Sequence, residues 1–297
     1  MRLKRQWLSL ESMPASDVIA VENETPSHRL GQYNAWQLRQ QPQAPFDMVW
    51  ISIAKAQAPA AHRVLPHGEP SIAIRRRRDA RGDITEITLT VCGPLHHAHW
   101  YEPEPREELI AIRLMPEVAA AVFGVAPADY FDQPPALLTP AQLEAACEQT
   151  LRLAEFAAPK GVARQLFDDL HRYAGDKIID RTPEVLAAAI LRQTNGNTRC
   201  AAIAKHLDIS ERTLRRRFQD HLGCSPKAYA RQLRLTAAAL TAEQGTKPQW
   251  ADIAVKAGFH DQAHLINEFQ TLAGLTPQEF HAERMALSAF SNTPVSQ

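Results

Sequence analysis

Between residues 203 and 280 the sequence repeats itself, and this constrains the fold more than any other feature. Ile203 and Ala204 recur fifty residues on as Ile253 and Ala254, and Ile209 recurs as Phe259. Past one inserted residue the offset becomes fifty-one: Ser210 recurs as Asp261, Leu214 as Leu265, Phe218 as Phe269 and Gly223 as Gly274. Ser225-Pro226 then recurs as Thr276-Pro277, and Tyr229 as Phe280. The recurring positions are apolar, capping or turn residues, so what is duplicated is a packing unit.

Each copy reads as a short helix, a turn and a longer helix. In IAKHLDISERTLRRRF, Ile203 and Leu207 stand one turn apart, LDI makes the turn, and the Ser210 hydroxyl is placed to cap the second helix. Leu214 and Phe218 then face the first helix. This is the plan of a helix-turn-helix, whose second helix enters the major groove. At about 100° per residue, Arg212, Arg215, Arg216 and Gln219 fall on the opposite face. Arginine matches O6 and N7 of guanine, and glutamine matches N6 and N7 of adenine. A solvated basic helix accounts for the same residues taken alone; the duplicated architecture favours a reader.

The second copy, GFHDQAHLINEF, has Asp261 as cap and Leu265 and Phe269 inward. Its outward face, Ala263, Ile266, Asn267 and Gln270 with Gln262 near the amino end, is nearly uncharged. Asn267 suits a base edge and Ile266 a thymine methyl, with little attraction for phosphate. Between the copies, SPKAYARQLRLTAAALTA reads as a helix long enough to set two readers in successive major-groove segments.

Charge follows the repeat. The whole chain has a formal net charge of zero, but Arg199 to Arg234 holds nine basic residues against three acids. Arg199, Arg217, Lys227 and Arg231 are the expected phosphate contacts, and the local surplus suits nucleic acid.

At 297 residues the chain has room for two domains, and 45% hydrophobic with 22% charged residues is a globular composition. From about Phe46 to Met115 short β-like runs dominate: FDMVWISIA, SIAIRRRR, ITEITLTV, HAHWY and ELIAIRL. SIAIRRRR and ITEITLTV flank DARGD and read as a hairpin, within an antiparallel barrel or sandwich. PEVAAAVFG is a short helix with proline at its start and glycine at its end. AQLEAACEQTLRLAEFAA, VARQLFDDLHRYA and PEVLAAAILRQ then show helical spacing. The fold class is therefore α+β. The expected organisation is a β-rich sensor or regulatory domain over 1–135 and a helical connector over 136–181 offering a dimer contact. A double helix-turn-helix domain over 182–290 and a flexible tail over 291–297 follow.

The sequence from about Thr182 to Arg284 resembles the DNA-binding domain of the AraC-type (arabinose-operon regulator-like) transcription factors. ISERTLRRRF, LGCSPKAYARQLRL, GFHDQAHLINEF and GLTPQEF carry the likeness, in that order. The resemblance implies base-reading residues at Arg212, Arg215 and Arg216 in the first unit and at Gln262, Ala263, Ile266 and Asn267 in the second. That family commonly has a basic residue where Asn267 stands. HRVLPHGEPSIAI, LTVCGP and IAIRLMPEVAAAVFG resemble the sensor domains of one subgroup, which implies a cupin-like barrel without identifying ligand residues.

Other constellations point elsewhere. His96, His97 and His99, with His62 and His67 upstream, admit a metal reading in which His97 and His99 share a strand face. A polar strand rim explains them as well, and no carboxylate stands at a convincing spacing. The run Arg75 to Arg78 suits an anion or, at a hairpin end, solvent. Cys92, Cys147, Cys200 and Cys224 lack paired short spacing and read as reduced thiols. No signal-peptide run or span of about 20 apolar residues is present, so a cytoplasmic protein is expected. No phosphate loop, nucleophile elbow or zinc-protease motif appears.

The function expected is sequence-specific DNA binding by a transcription regulator, not an enzyme and without a cofactor, modulated through its amino-terminal domain. A DNA-binding protein governed by a protein partner or by abundance, and a metal-dependent cupin-like enzyme fused to a DNA reader, are the alternatives. Expected partners are double-stranded DNA, with a small-molecule effector, a second copy of the chain and RNA polymerase as further candidates, and no membrane.

Overall fold

The structure is a computed structural model that describes residues 18–19, 25–28, 31–38, 45–54, 56, 61–134, 141–175, 181–243 and 247–288. It is α+β, with strands in the amino-terminal part and helices in the carboxy-terminal part.

Nine strands are described: β1 (Val18–Ile19), β2 (Thr25–His28), β3 (Gly31–Leu38), β4 (Phe46–Ala54), β5 (His62–Val64), β6 (Ser71–Arg78), β7 (Ile84–Cys92), β8 (His99–Tyr101) and β9 (Glu107–Leu114). Seven form an antiparallel sheet in the order β1-β3-β4-β9-β6-β7, with β2 also on β3, and β5 pairs with β8 in a separate ribbon. The expected hairpin is β6–β7, in register from Ser71 opposite Cys92 to Arg78 opposite Ile84. Its turn is held by Asp79, whose carboxylate accepts from the amides of Arg81 (2.8 Å) and Asp83 (3.0 Å).

Alternation gives the large sheet two chemically different faces. Ile72, Ile74, Leu89, Val91, Ile110 and Ile112 share the apolar face. Against it pack α1 (Pro116–Phe123), α4 (Glu148–Ala154) and α5 (Pro159–Ala174), with Val162, Leu166, Phe167 and Leu170 entering the same core. The helices expected to connect the two domains thus pack on the sheet. AQLEAACEQT is divided at Cys147 into α3 (Ala141–Ala146) and α4, a break that helix propensity does not mark.

Arg75, Arg76 and Arg78 are neither solvated strand-end cations nor an open anion site, which corrects the expectation for them, whereas the Arg77 side chain stays 42% exposed. Arg76 is fully buried on the helix-facing side and ion-paired with Glu108 of the neighbouring strand. Its guanidinium donates to the carbonyls of Ala154 (3.0 Å) and Ala157 (2.7 Å), binding the end of α4 to the sheet. Arg78 pairs with Glu108 (2.7 Å), Arg75 with Glu107 and Arg77 with Glu86.

After α2 (Pro127–Tyr130), α6 (Pro183–Gln193) opens the helical part. Then come α7 (Cys200–His206), α8 (Glu211–Leu222), α9 (Pro226–Glu243), α10 (Trp250–Lys256), α11 (Gln262–Ala273) and α12 (Pro277–Ser288). Two cores result. Leu191, Ile203, Leu214, Phe218, Leu222 and Tyr229 belong to one; Leu235, Ile253, Phe259, Leu265, Phe269 and Phe280 belong to the other. The long helix α9 contributes to both.

Candidate nucleic-acid interface

The sequence repeat is a repeat in three dimensions. α7 turns into α8 through Asp208 at φ 52°, and α10 turns into α11 through Gly258 at φ 81°. Each turn is closed by the same hydrogen bond, from the amide of Ile209 to the Ala204 carbonyl (3.0 Å) and from Phe259 to Ala254 (2.9 Å). Gly258 suits its turn through its positive φ, and a Cβ there would fall 1.5 Å from Oδ1 of Asn197, which would have to shift.

Both long helices begin and end alike. The Ser210 hydroxyl accepts from the amide of Thr213 (3.0 Å) and the Asp261 carboxylate from His264 (2.8 Å), each satisfying an orphan donor. Gly223 and Gly274 close the helices in the left-handed conformation, at φ 78° and 73°. The backbone bond holds the Asp261 carboxyl below its ordinary pKa range, with His260 adding to the effect. After each unit a further cap starts the next helix: Ser225 accepts from Ala228, and Thr276 and Glu279 form a reciprocal capping box.

Burial fixes which residues point out. Leu214 and Phe218 are 1% and 0% exposed, which rotates Arg212, Arg215, Arg216, Arg217 and Gln219 to the surface. Arg212, Arg215, Arg216 and Gln219 line one open groove with Asp220 and Ser225. The Gln219 amide donates to the carbonyl of Gly223, the residue that ends its helix (2.7 Å). On α11, Leu265 and Phe269 are fully buried; Ala263, Asn267 and Gln270 are exposed, and Gln262 and Ile266 are half-buried. Of the five residues expected on the neutral face of the second unit, three are thus exposed.

The four residues expected at phosphates divide. Arg199, at the amino end of α7, and Lys227, on the first turn of α9, are exposed. Arg217 is exposed and lies 4.0 Å from Glu184. Arg231 is committed elsewhere: its Nε is 2.6 Å from Glu268 on α11, in an ion pair that ties α9 to the second unit. The sequence reading had no partner for it, because Glu268 lies 37 residues on. Nearby, Arg234 donates to the Gly196 carbonyl (2.7 Å), joining α9 to the loop before α7.

The histidines are dispersed. His97 lies before β8 rather than on it, so it shares no strand face with His99. His96 stacks on Phe131 at 3.9 Å and is bonded to Asp132 (2.7 Å). His67 Nδ1 donates to the Glu69 carbonyl (2.9 Å), and burial with Arg113 and His99 nearby lowers its pKa, against the opposing pull of Glu69. Among the described residues no three metal-ligating side chains converge.

Two family models match the chain. Residues 203–283 match a helix-turn-helix domain, and residues 43–134 match a domain of unknown function. The HTH-type transcriptional regulator ArgR of Pseudomonas aeruginosa is 30% identical over 113 residues, covering 37% of this chain and 34% of that protein. An uncharacterized HTH-type transcriptional regulator of Haemophilus influenzae is 28% identical over 101 residues, 34% of each. The chain therefore spans about a third of the length of the curated relatives it matches. Among solved structures, an AraC-type DNA-binding domain protein from Chromobacterium violaceum is 26% identical at a TM-score of 0.31, over 34% of this chain and 91% of that one. ToxT from Vibrio cholerae is 11% identical at a TM-score of 0.39, over 85% and 98%. No helix among the described residues is long and apolar enough to cross a membrane. The helix-turn-helix match over residues 203–283 spans both capped helix pairs, so the carboxy-terminal part of this chain is similar to helix-turn-helix transcriptional regulators.

Proposed function

We propose that this chain is a sequence-specific DNA-binding transcription regulator that reads DNA through two helix-turn-helix units, α7–α8 and α10–α11. The observation that carries the reading is α8. Its apolar residues are wholly buried, and its exposed face is three arginines and a glutamine. Arg212, Arg215, Arg216 and Gln219 contact bases, with Gln262, Ile266 and Asn267 as the lesser set on α11. Arg199, Arg217 and Lys227 supply phosphate contacts. The working division is a regulatory part over 1–135, a helical segment over 136–181 and the reader over 182–290.

The amino-terminal sheet is read as a cupin-like sensor for a small-molecule effector. Its face away from the helices supports this, because it is lined with polar and small side chains. Ser71, Thr90 and Glu107 lie there with Ala73 and Ala111 between them, all buried. Arg75 donates to Glu107 (2.7 Å), and so does Tyr101 of β8. A small-molecule pocket sets a few convergent polar groups among apolar and small ones, which is the composition of this face.

The test is selection of duplexes from a randomised library by the purified full chain, followed by titration of the enriched sequence against a scrambled one. The reading expects an enriched motif bound at least about a thousandfold more tightly than the scrambled duplex. Equal affinity for both overturns it.

A further inference from the structure

Beside the packing of α1 and α2 on α6 and α8, one small element of the amino-terminal half bonds to α9, α11 and α12. β5 and β8 form a two-stranded ribbon, extended by a bridge between His67 and Leu95 in which each amide donates to the other's carbonyl (3.2 and 2.8 Å). From this ribbon the amide of Ala98 donates to the Leu272 carbonyl (2.8 Å), and Arg63 donates to the Ala273 carbonyl (2.8 Å). Both acceptors are in the last turn of α11, where carbonyls have no partner within the helix. Arg63 also makes a two-pronged bond to Glu283 of α12, at 3.1 and 3.2 Å, and lies over the Trp100 ring.

The other end of the same element holds α9 and the first unit. The Leu95 carbonyl accepts from Gln232 (3.0 Å), which is 2% exposed. Glu69 accepts from the Tyr229 hydroxyl (3.3 Å), and Tyr229 packs on Phe218 of α8 with ring centres 5.8 Å apart. Between them Gly68 meets the Tyr229 ring so closely that a Cβ would lie 2.4 Å from it. Close by, Phe131 and Ala128 press on Gly223, the carboxy-terminal cap of α8. The amino-terminal half thus grips α8 and α11 at their carboxy-terminal ends and leaves Arg212, Arg215, Arg216 and Asn267 exposed.

We infer that this ribbon is a specificity-determining brace of the DNA reader, fixing the angle and separation of α8 and α11 and so the half-site spacing the chain accepts. The inference rests on the two-unit reading above. Two reading helices compete for one duplex only if both fit their major-groove segments together, so a lever on their ends changes which spacing is tolerated. Contacts on the reading faces would block DNA; contacts on the opposite ends adjust geometry. Arg63, Gly68 and Glu69 are therefore positioning residues, acting through α9, α11 and α12.

The experiment is library selection with the full chain and with Arg63→Ala and Gly68→Ala variants, each confirmed folded by thermal melting. Enriched duplexes are then rebuilt with one base pair inserted or removed between the half-motifs. The wild type is expected to enrich two half-motifs at one spacing. Arg63→Ala is expected to enrich the same half-motifs, with its preference for that spacing over its neighbours reduced about tenfold, within the usual range for coupled sites. An unchanged spacing preference in Arg63→Ala overturns the brace, whether or not Gly68→Ala folds. A single, undivided motif from the wild type overturns the two-unit reading instead, and the inference with it.

Discussion

Removing the guanidinium of Arg216 or Arg212 tests the unequal roles of the two units. Both side chains are exposed on α8, on the face opposite Leu214 and Phe218, so neither contributes to the core of its unit. Loss of a bidentate contact to guanine costs about 1–3 kcal/mol, which is roughly 5- to 150-fold in affinity. Arg216→Ala and Arg212→Ala are therefore expected to weaken the selected duplex by that factor and to relax base preference at one or two positions. Asn267→Ala, on the uncharged α11 face, is expected to cost less. Lys227→Ala, if the side chain meets a phosphate, weakens all sequences alike and makes the slope of log affinity against log salt shallower by about one. Arg231→Ala should leave that slope unchanged, because its charge is already neutralised by Glu268 at 2.6 Å. The assay is a fluorescence titration of each variant on selected and scrambled duplexes at several salt concentrations, with melting curves as a folding control. If Asn267→Ala abolishes binding while the two arginine variants are silent, α8 is not the principal reader.

Three further outcomes are expected. Glu108→Ala should destabilise the amino-terminal part by about 3–5 kcal/mol in urea, since it strands the buried Arg76 charge, whereas Arg76→Met with Glu108→Leu should cost far less; equal losses would refute the burial argument. Burial pushes the Cys147 and Cys224 thiols up to about 12, so both should resist alkylation at neutral pH until the chain unfolds, and replacing all four cysteines with serine should keep DNA affinity within about tenfold; rapid labelling of either in the native protein would contradict this. Acidification should loosen the second unit before the first. The Asp261 carboxyl has its pKa lowered by the cap bond, so its contribution is present above the ordinary aspartate range and lost as pH falls through the folded value, while the Ser210 cap does not titrate. Amide exchange at His264 and Thr213, compared between pH 6 and pH 3, reads the difference, and equal protection loss at both counts against it.

The reader was legible in the sequence because its information is local and written twice. Ser210 and Asp261, Gly223 and Gly274, and the pairs Leu214/Phe218 and Leu265/Phe269 each announce a cap, a stop or a buried face, and in each unit the cap and the stop bracket one twelve-residue helix. The hairpin at DARGD was local in the same sense. What could not be read depends on partners distant in sequence. Arg231 reads as a free cation until Glu268 is beside it, and nothing local marks Gly68 as the place where the Tyr229 ring leaves no room for a side chain.

The arginine run shows where a physical argument from sequence had more to give. In SIAIRRRR the alternation that buries Ile72 and Ile74 also carries Arg76 inward, and the consecutive Glu107-Glu108 in EELIAIRL is its complement on another strand. Glu107 serves the polar face with Arg75, and Glu108 the helix-packed face with Arg76, so two adjacent acids satisfy arginines on opposite sides of one sheet. A charged residue continuing a buried alternation, with acids of matching count elsewhere in a strand-like run, is a reason to expect pairing across strands rather than solvent. Long-range bonds also link the sheet to the helical part: the sheet is held to α4 by Arg76, to the ribbon by Glu107 through Tyr101, and the ribbon to α9, α11 and α12 by Gln232, Ala98 and Arg63. A change of shape on the polar face of the sheet therefore has a bonded path to α11 and, through α9 and the packing of Tyr229 on Phe218, a route to α8; Tyr101→Phe, which cuts that path between Glu107 and the ribbon, should alter half-site spacing in the same direction as Arg63→Ala.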